Sequence, residues 1–356
     1  MSFTDQLVGY RKTIDTDVAH YCRTLLAETE QTYGRHAKEA TSALTAILGR
    51  GGKRIRGSLV MASYELLGGT SRPLALRIAR ATEVVHAYLL LLDDVVDRST
   101  LRRGGPTAHL LMCELHQTRD WRGDAAHFGN SIAITAGMLG VSLAETIIYE
   151  TRMTATKKLH LLQSLHGNLK RTVQGQLCDI WNEVLPQVSE QEALQVAELK
   201  TAYYTFVNPL ETGAILADAS PETIAQLREY GLKAGIAFQI IDDIIGIFSP
   251  AEKSGKSAMD DIAEGKMTIL MTHALQHASA AQRHVLLKTL GRANIDGATF
   301  TECQEIITDT GALAHAEKMA AQYADKALGA LAKGSLPTGI RQFLEELVQY
   351  IVARRA

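Results

Sequence analysis

Apolar residues recur at helical spacing along nearly the whole chain, set among Ala, Leu, Glu, Gln and Lys rather than in alternation with β-branched residues. Only seven prolines interrupt 356 residues, so little stops one helix from running on to the next loop. A strand presents opposite faces at successive residues and cannot bury a stripe of this period, so the core has to come from packed helices. The pattern predicts an all-α protein. Helix starts are marked by "SEQE", where Ser189 and Glu192 form a capping box, and by "SPET" and "SPAE", where Ser220 and Ser249 precede a first-turn proline. Loops are expected at 48–57, 102–107, 116–124, 182–187, 249–266 and 334–339. None resembles an interdomain linker and no repeat of solenoid length is present, so although length alone admits one large domain or two, a single domain over residues 1–356 is expected.

Charge narrows the function. The 37 basic and 39 acidic residues nearly cancel, leaving no broad basic excess of the kind nucleic acid demands. Cys22, Cys113, Cys178 and Cys303 are scattered without CxxC spacing, and the N-terminal "MSFTDQLVGYRK" has no apolar secretory core, which predicts a reduced, cytoplasmic protein. The longest apolar runs break after a few residues, short of the ~20 a bilayer-spanning helix needs, so no integral membrane segment is expected.

Electrostatic work is therefore local, and "HAYLLLLDDVVDRSTLRRGGPTAH", His86 to His109, shows where. On a helix Asp93 and Asp97 lie one turn apart on one face, with His86 and Leu90 on nearly the same stripe. Two carboxylates so placed repel unless a cation lies between them. Hard oxygen donors of this kind suit Mg²⁺, which keeps several waters and shares a substrate phosphate. The stretch is echoed by "AFQIIDDIIG", which offers Asp242 and Asp243 but has Gly246 where a third carboxylate would stand. A solvated helix end would not need an apolar approach on both occasions.

Cations gather in loops: Lys53, Arg54 and Arg56 in "GGKRIRG", Arg102 and Arg103 in "LRRGG", and Lys256 and Lys266 in "GKSAMDDIAEGK". Glycine beside each lets the backbone approach an anion. A charge-assisted hydrogen bond contributes roughly 1.5–3 kcal/mol, so two or three of them would hold a diphosphate. No GxxxxGK[ST] phosphate loop follows a strand, and the basic residues form no stripe interleaved with aromatics.

"GGKRIR", "HAYLLLLDDVVD" with "RRGGPTAH", "HFGNSIAITAG", "GQLCDI", "KTAYYTF", "FQIIDDIIG" and "GKSAMDDIAEGKMT" together resemble, in order and spacing from about Gly51 to Thr268, the trans-isoprenyl diphosphate synthases. The resemblance implies a single-domain helical bundle around a central cavity, usually a homodimer. It implies a prenyltransferase that condenses isopentenyl diphosphate with an allylic prenyl diphosphate through an allylic carbocation, using about three Mg²⁺ per active site. Carried over to this chain, Asp93 and Asp97, with Asp94 alongside, hold metal on the allylic diphosphate, and Asp242 holds a further ion. Arg102, Lys200, Lys256 and Lys266 contact that diphosphate. Thr201, Gln239, Gln176 and Asp179 line its reacting end or hold metal-bound water, and Lys53, Arg56, His86 and Arg103 bind isopentenyl diphosphate.

Two positions depart from the family pattern. Gly246 replaces the third Asp of the second motif, and Gly137-Met138 stands where Gly-Asp is usual. These departures keep open a non-catalytic regulatory subunit or a relative that cyclises prenyl diphosphates, whereas an intact isopentenyl site favours chain elongation. The resemblance implies that Tyr88, five residues before Asp93 and about 7.5 Å along the axis, is the floor of the chain pocket, although helical periodicity points it roughly 140° away from Asp93. An aromatic there resembles enzymes that make geranylgeranyl diphosphate, with farnesyl diphosphate the alternative. Arg354 and Arg355 in the terminal "VARRA" stand where some relatives close a basic tail over the acceptor; the other reading is a solvated end.

Overall fold

The computed structural model describes residues 2–249, 259–292, 294–334 and 336–354. The protein is all-α, and its only sheet among the described residues is one short hairpin. Contacts divide the chain into two compact units, Met1–Leu162 with Ile215–Ala217, and Gln163–Ala214 with Asp218–Ala356.

The first unit holds α1 (Phe3–Tyr33), α2 (Arg35–Gly49), α3 (Ile55–Leu66), α4 (Arg72–Val96), α5 (Ala108–Thr118), α6 (Ala125–Glu150) and the start of α7 (Ala155–Val184). Ile14 and Val18 of α1, Leu44 and Ile47 of α2, Leu59 and Met61 of α3, and Ile78, Val84 and Leu91 of α4 are fully buried in its core. α4 packs most extensively on α6. A Cβ at Gly140 of α6 would come within 2.5 Å of the Tyr88 Cβ, so the absence of a side chain there lets the two helices touch backbone to side-chain root.

α6 bears on one expectation. By length and composition it is apolar enough to cross a membrane. Glycine, serine and threonine break its apolar runs while Ile, Leu, Val and Ala keep the average high, so a search for unbroken runs passes over it. Its Ala133, Ala136, Gly137 and Gly140 are buried, on a face that meets α4 and α5.

Two loops of this unit fold by sequence logic. Between α4 and α5, β1 (Leu101–Arg102) pairs antiparallel with β2 (Gly105–Pro106), and the turn residues Arg103 and Gly104 have φ of 52° and 72°. A two-residue turn with both φ positive matches the twist of a hairpin, and glycine supplies one of them without strain. Between α2 and α3, Arg54 also adopts φ 48°, which turns its side chain inwards. There it donates to Asp15 at 2.8 Å, Glu83 at 3.0 Å and the Leu48 carbonyl at 2.7 Å. Glu83 accepts a further 2.9 Å bond from the Gly57 amide. Both Arg54 and Glu83 side chains are 1% exposed, so Arg54 anchors the loop rather than serving as a ligand. Glu83→Ala removes the buried partner of the Arg54 guanidinium, leaving only the partly exposed Asp15 to balance its charge, and is expected to destabilise the protein by about 3 kcal/mol, read as a lower urea midpoint at unchanged slope.

The second unit continues α7 and adds α8 (Glu190–Val196), a π-helical segment (Ala197–Val207), α9 (Asn208–Leu216), α10 (Pro221–Phe248), α11 (Asp260–Glu264), α12 (Ile269–His277), α13 (Ala280–Thr289), α14 (Gly297–Asp309), α15 (Ala312–Ala332) and α16 (Thr338–Ala353). The predicted capping box of Ser189 and Glu192 starts α8, and Ser220 caps α10. Ser249 instead closes α10, and the helix expected from Pro250 lies outside the described residues. The loop expected over 249–266 contains α11. α10 runs through the unit against α15 and the π-helical segment, with Phe206, Leu227, Tyr230, Ile236 and Ile240 buried between them.

Sequence reading did not anticipate the widened turns. Pro209 follows the segment, and its ring excludes the ordinary bond to the residue four earlier. The ladder loosens just before it, so that the Asn208 amide bonds the Tyr203 carbonyl. Such insertions concentrate at functional sites. This one carries Lys200 and Thr201.

Candidate active site

At the end of α4, Asp97 is the C-cap and its amide bonds the Asp93 carbonyl at 2.8 Å, so the two predicted carboxylates stand one turn apart as their spacing requires. Asp94 and Asp97 are buried and Asp93 is half-buried. The hairpin brings Arg102 back over this helix end. Its Nε donates to Asp94 Oδ1 at 2.7 Å and its Nη2 lies 3.6 Å from Asp93 Oδ2. Burial works against the Arg102 charge, but Asp94, Asp93 and Asp97 outweigh it and hold the guanidinium above its ordinary pKa.

The second cluster in this unit is cationic. Arg56 Nη1 lies 3.2 Å from His86 Nε2, and the Arg103 guanidinium fills the space a Cβ at Gly52 would meet at 3.1 Å. Arg103 is tied to the Ile47 carbonyl at 3.2 Å, while Lys53 is exposed at the loop surface. Burial, then Arg56 and Arg103, push the His86 imidazole well below its ordinary pKa. Burial, together with Arg54, brings Arg103 down to about 10. Cations crowded to this degree disfavour one another's charge and would be relieved by an anion. Arg50, which sequence reading passed over, donates to the Arg102 and Pro106 carbonyls at 3.2 and 2.6 Å and so fixes the hairpin that carries Arg102 and Arg103.

In the second unit Lys200 Nζ donates to Asp179 Oδ2 at 2.6 Å. The approach is close because Gly175 of α7 has no side chain: a Cβ there would lie 2.3 Å from the Lys200 amide nitrogen. Thr201 Oγ1 donates to Gln239 Oε1 at 2.5 Å, and Gln239 Nε2 donates to Asp243 Oδ1 at 2.6 Å. Gln176 Nε2 is buried with no hydrogen-bond partner among the described residues. Lys256 falls outside the described residues, as does Arg355.

Gly246 proves to be more than a missing carboxylate. A Cβ at this position would lie 2.4 Å from Asp261 Oδ2, so the Asp261 carboxylate occupies the space that a side chain at 246 would take. Asp261 belongs to α11, and Lys266 Nζ stands 3.6 Å from its Oδ1 while also pairing with Glu264. The carboxylate signal was present in "GKSAMDDIAEGK" but not its destination. Burial, then the nearby Asp261, push the Asp243 carboxyl well above its usual range. Arg354 Nη2 lies 3.3 Å from Asp242 Oδ1, and the guanidinium stacks 5.1 Å from the Phe238 ring. The tail therefore engages the second acidic motif. Met138, the other departure, projects from α6 and is 66% exposed.

The donor set in both units is of hard carboxylate oxygens that repel one another and recruit arginine or lysine. That is the chemistry of a divalent-cation and diphosphate site.

Known proteins agree. The chain matches the family described as Polyprenyl synthetase over residues 37–307. It is 31% identical over 308 residues to the geranylgeranyl diphosphate synthase of Saccharolobus solfataricus, covering 86% of this chain and 87% of that one. Among solved structures, geranylgeranyl pyrophosphate synthase from Corynebacterium glutamicum, complexed with isoprenyl diphosphate and magnesium, has a TM-score of 0.91 at 31% identity, covering 97% of this chain and 99% of that one. A polyprenyl synthase from Caulobacter crescentus, complexed with calcium and isoprenyl diphosphate, has a TM-score of 0.81 at 28% identity, covering 100% and 98%. With a family match that spans most of its length and relatives of this likeness, the chain belongs to the polyprenyl synthetase family and is a prenyltransferase.

Proposed function

We propose that the protein joins isopentenyl diphosphate to allylic prenyl diphosphates and that its main product is geranylgeranyl diphosphate. The observation that carries the reading is the presence of both kinds of group the reaction needs: carboxylates one helical turn apart under Arg102, and a separate cationic cluster of Arg56, His86 and Arg103. Residues 1–356 act as one catalytic domain in this reading, which is supported by a family match running across both units.

Asp93, Asp97 and Asp242 would hold about three Mg²⁺, which when bound neutralise charge on the allylic diphosphate. Asp261 completes the second acidic motif in place of the carboxylate missing at Gly246. Arg102, Lys200, Lys256 and Lys266 then bind and stabilise the departing diphosphate as the allylic C–O bond ionises. Lys53, Arg56, His86 and Arg103 hold isopentenyl diphosphate, with His86 neutral, so that its double bond attacks the allylic cation. A proton leaves the new cation for the released diphosphate, which closes the balance. Thr201, Gln239, Gln176 and Asp179 orient the reacting end, and the apolar wall of α4 keeps water from the cation.

Tyr88 sets product length. It is buried against Gly140 of α6, on the stripe of α4 it shares with Leu92. With farnesyl diphosphate and labelled isopentenyl diphosphate, the wild-type protein is expected to stop at geranylgeranyl diphosphate, and Tyr88→Ala to make longer chains, resolved by chromatography. An unchanged product in Tyr88→Ala would remove Tyr88 from the pocket floor. A homodimer is supported by apolar side chains exposed on α6, Ile134 and Met138, and on α7, Val173, Leu177, Trp181 and Val184, and light scattering checks it. A cytoplasmic location is supported by four free thiols and is checked by cell fractionation.

A further inference from the structure

We propose that Glu190, His273 and His315 form a binding site for a transition metal such as Zn²⁺ or Co²⁺, separate from the acidic motifs. They come from three helices of the second unit, α8, α12 and α15, and their ligand atoms all lie within 4.8 Å of one another. A metal with ligands at about 2.0–2.2 Å in tetrahedral geometry needs its donor atoms roughly 3.3 Å apart, which side-chain rotation supplies here without moving a helix.

The three side chains already meet, but the two imidazoles stack face to face, so one ring must turn to bring its in-plane lone pair onto the shared ion. His315 Nε2 lies 2.6 Å from Glu190 Oε2, so one imidazole and the carboxylate share a position now bridged by a proton. The His273 ring lies parallel to that of His315, with centroids 4.1 Å apart and planes at 19°. On its other side His277, one turn along α12, stacks at 4.0 Å and 21°. The ring nitrogen Nδ1 of His277 is 2.9 Å from the His273 carbonyl, which fixes that outer ring. Burial, with His315 and His277 alongside, lowers the His273 pKa and keeps the neutral, metal-binding form.

Donor chemistry separates this cluster from the prenyl-transfer site. Imidazole with one carboxylate suits Zn²⁺, Co²⁺ or Ni²⁺, whereas Mg²⁺ prefers oxygen alone. All three residues are half-buried, so an ion can enter from solvent and keep a water in the remaining position. A bound ion would cross-link α8, α12 and α15. Since α8 leads directly into the π-helical segment, that cross-link would steady the base from which Lys200 and Thr201 project.

The test uses the full-length protein in saturating Mg²⁺, titrated with Co²⁺ and followed by visible d–d absorption, with Zn²⁺ as competitor. About one Co²⁺ per chain is expected, displaced by Zn²⁺, with thermal unfolding shifted upward by either metal. His273→Ala and the conservative His315→Gln should each weaken binding about tenfold or more, while Asp93→Asn and Asp242→Asn leave it unchanged. Co²⁺ binding that is lost in the Asp variants and kept in His273→Ala and His315→Gln would overturn the proposal, as would no absorption in the wild-type protein.

Discussion

Asp97→Asn is expected to lower kcat/KM on the order of 10²- to 10³-fold while leaving the melting temperature nearly unchanged. The substitution keeps the size of the side chain and the backbone bond by which the Asp97 amide caps α4, and removes only the charge. The carboxylate is buried, so its charge acts at low effective dielectric and is worth more than a surface carboxylate would be. Steady-state kinetics at increasing Mg²⁺ separate its role: a loss that higher Mg²⁺ partly restores is the mark of a weakened metal ligand. A loss of activity that follows a loss of fold would instead make Asp97 a structural residue, and thermal melts distinguish the two.

Restoring the carboxylate usual in the family, Gly246→Asp, is expected to lower activity by about tenfold or more rather than raise it. The reason is occupancy. The space is held by Asp261 Oδ2, which a Cβ would meet at 2.4 Å, and a fourth carboxylate beside Asp242, Asp243 and Asp261 adds repulsion where burial and Asp261 already push the Asp243 carboxyl above its usual range. Gly246→Ala separates the two causes, since it displaces Asp261 without adding charge. Because only the end of one side chain must move, both variants should stay folded. Higher activity in Gly246→Asp would show that Asp261 does not complete the motif.

Much of this site was legible because its grammar is local. Asp93 and Asp97 are related by one helical turn, and Arg102 and Arg103 by a glycine-bearing turn, so spacing alone put them near one another. What was hidden depends on distant partners or on backbone geometry. Arg54 reads like Lys53 and Arg56 beside it, but a left-handed φ sends it to Glu83 and Asp15, 29 and 39 positions away. Arg354 reaches Asp242 across 112 positions, and nothing near either residue announces the pairing. Gly246 looked like a loss because a motif is read along the chain, whereas the Asp261 carboxylate that fills its space arrives from another helix. The π-helical turns under Lys200 had a sign in Pro209, but helical periodicity does not separate a widened turn from an ordinary one. Helix α6 escaped because small residues disguise an apolar average.

Incorporation of labelled isopentenyl diphosphate tests the central claim most directly, with dimethylallyl, geranyl and farnesyl diphosphates as separate primers, in Mg²⁺ and after chelation. Discrete longer prenyl diphosphates that vanish with EDTA and return with Mg²⁺ are the predicted result. No incorporation with any primer, alongside measurable Mg²⁺-dependent binding of diphosphate, would contradict it and identify a chain that binds these substrates without joining them.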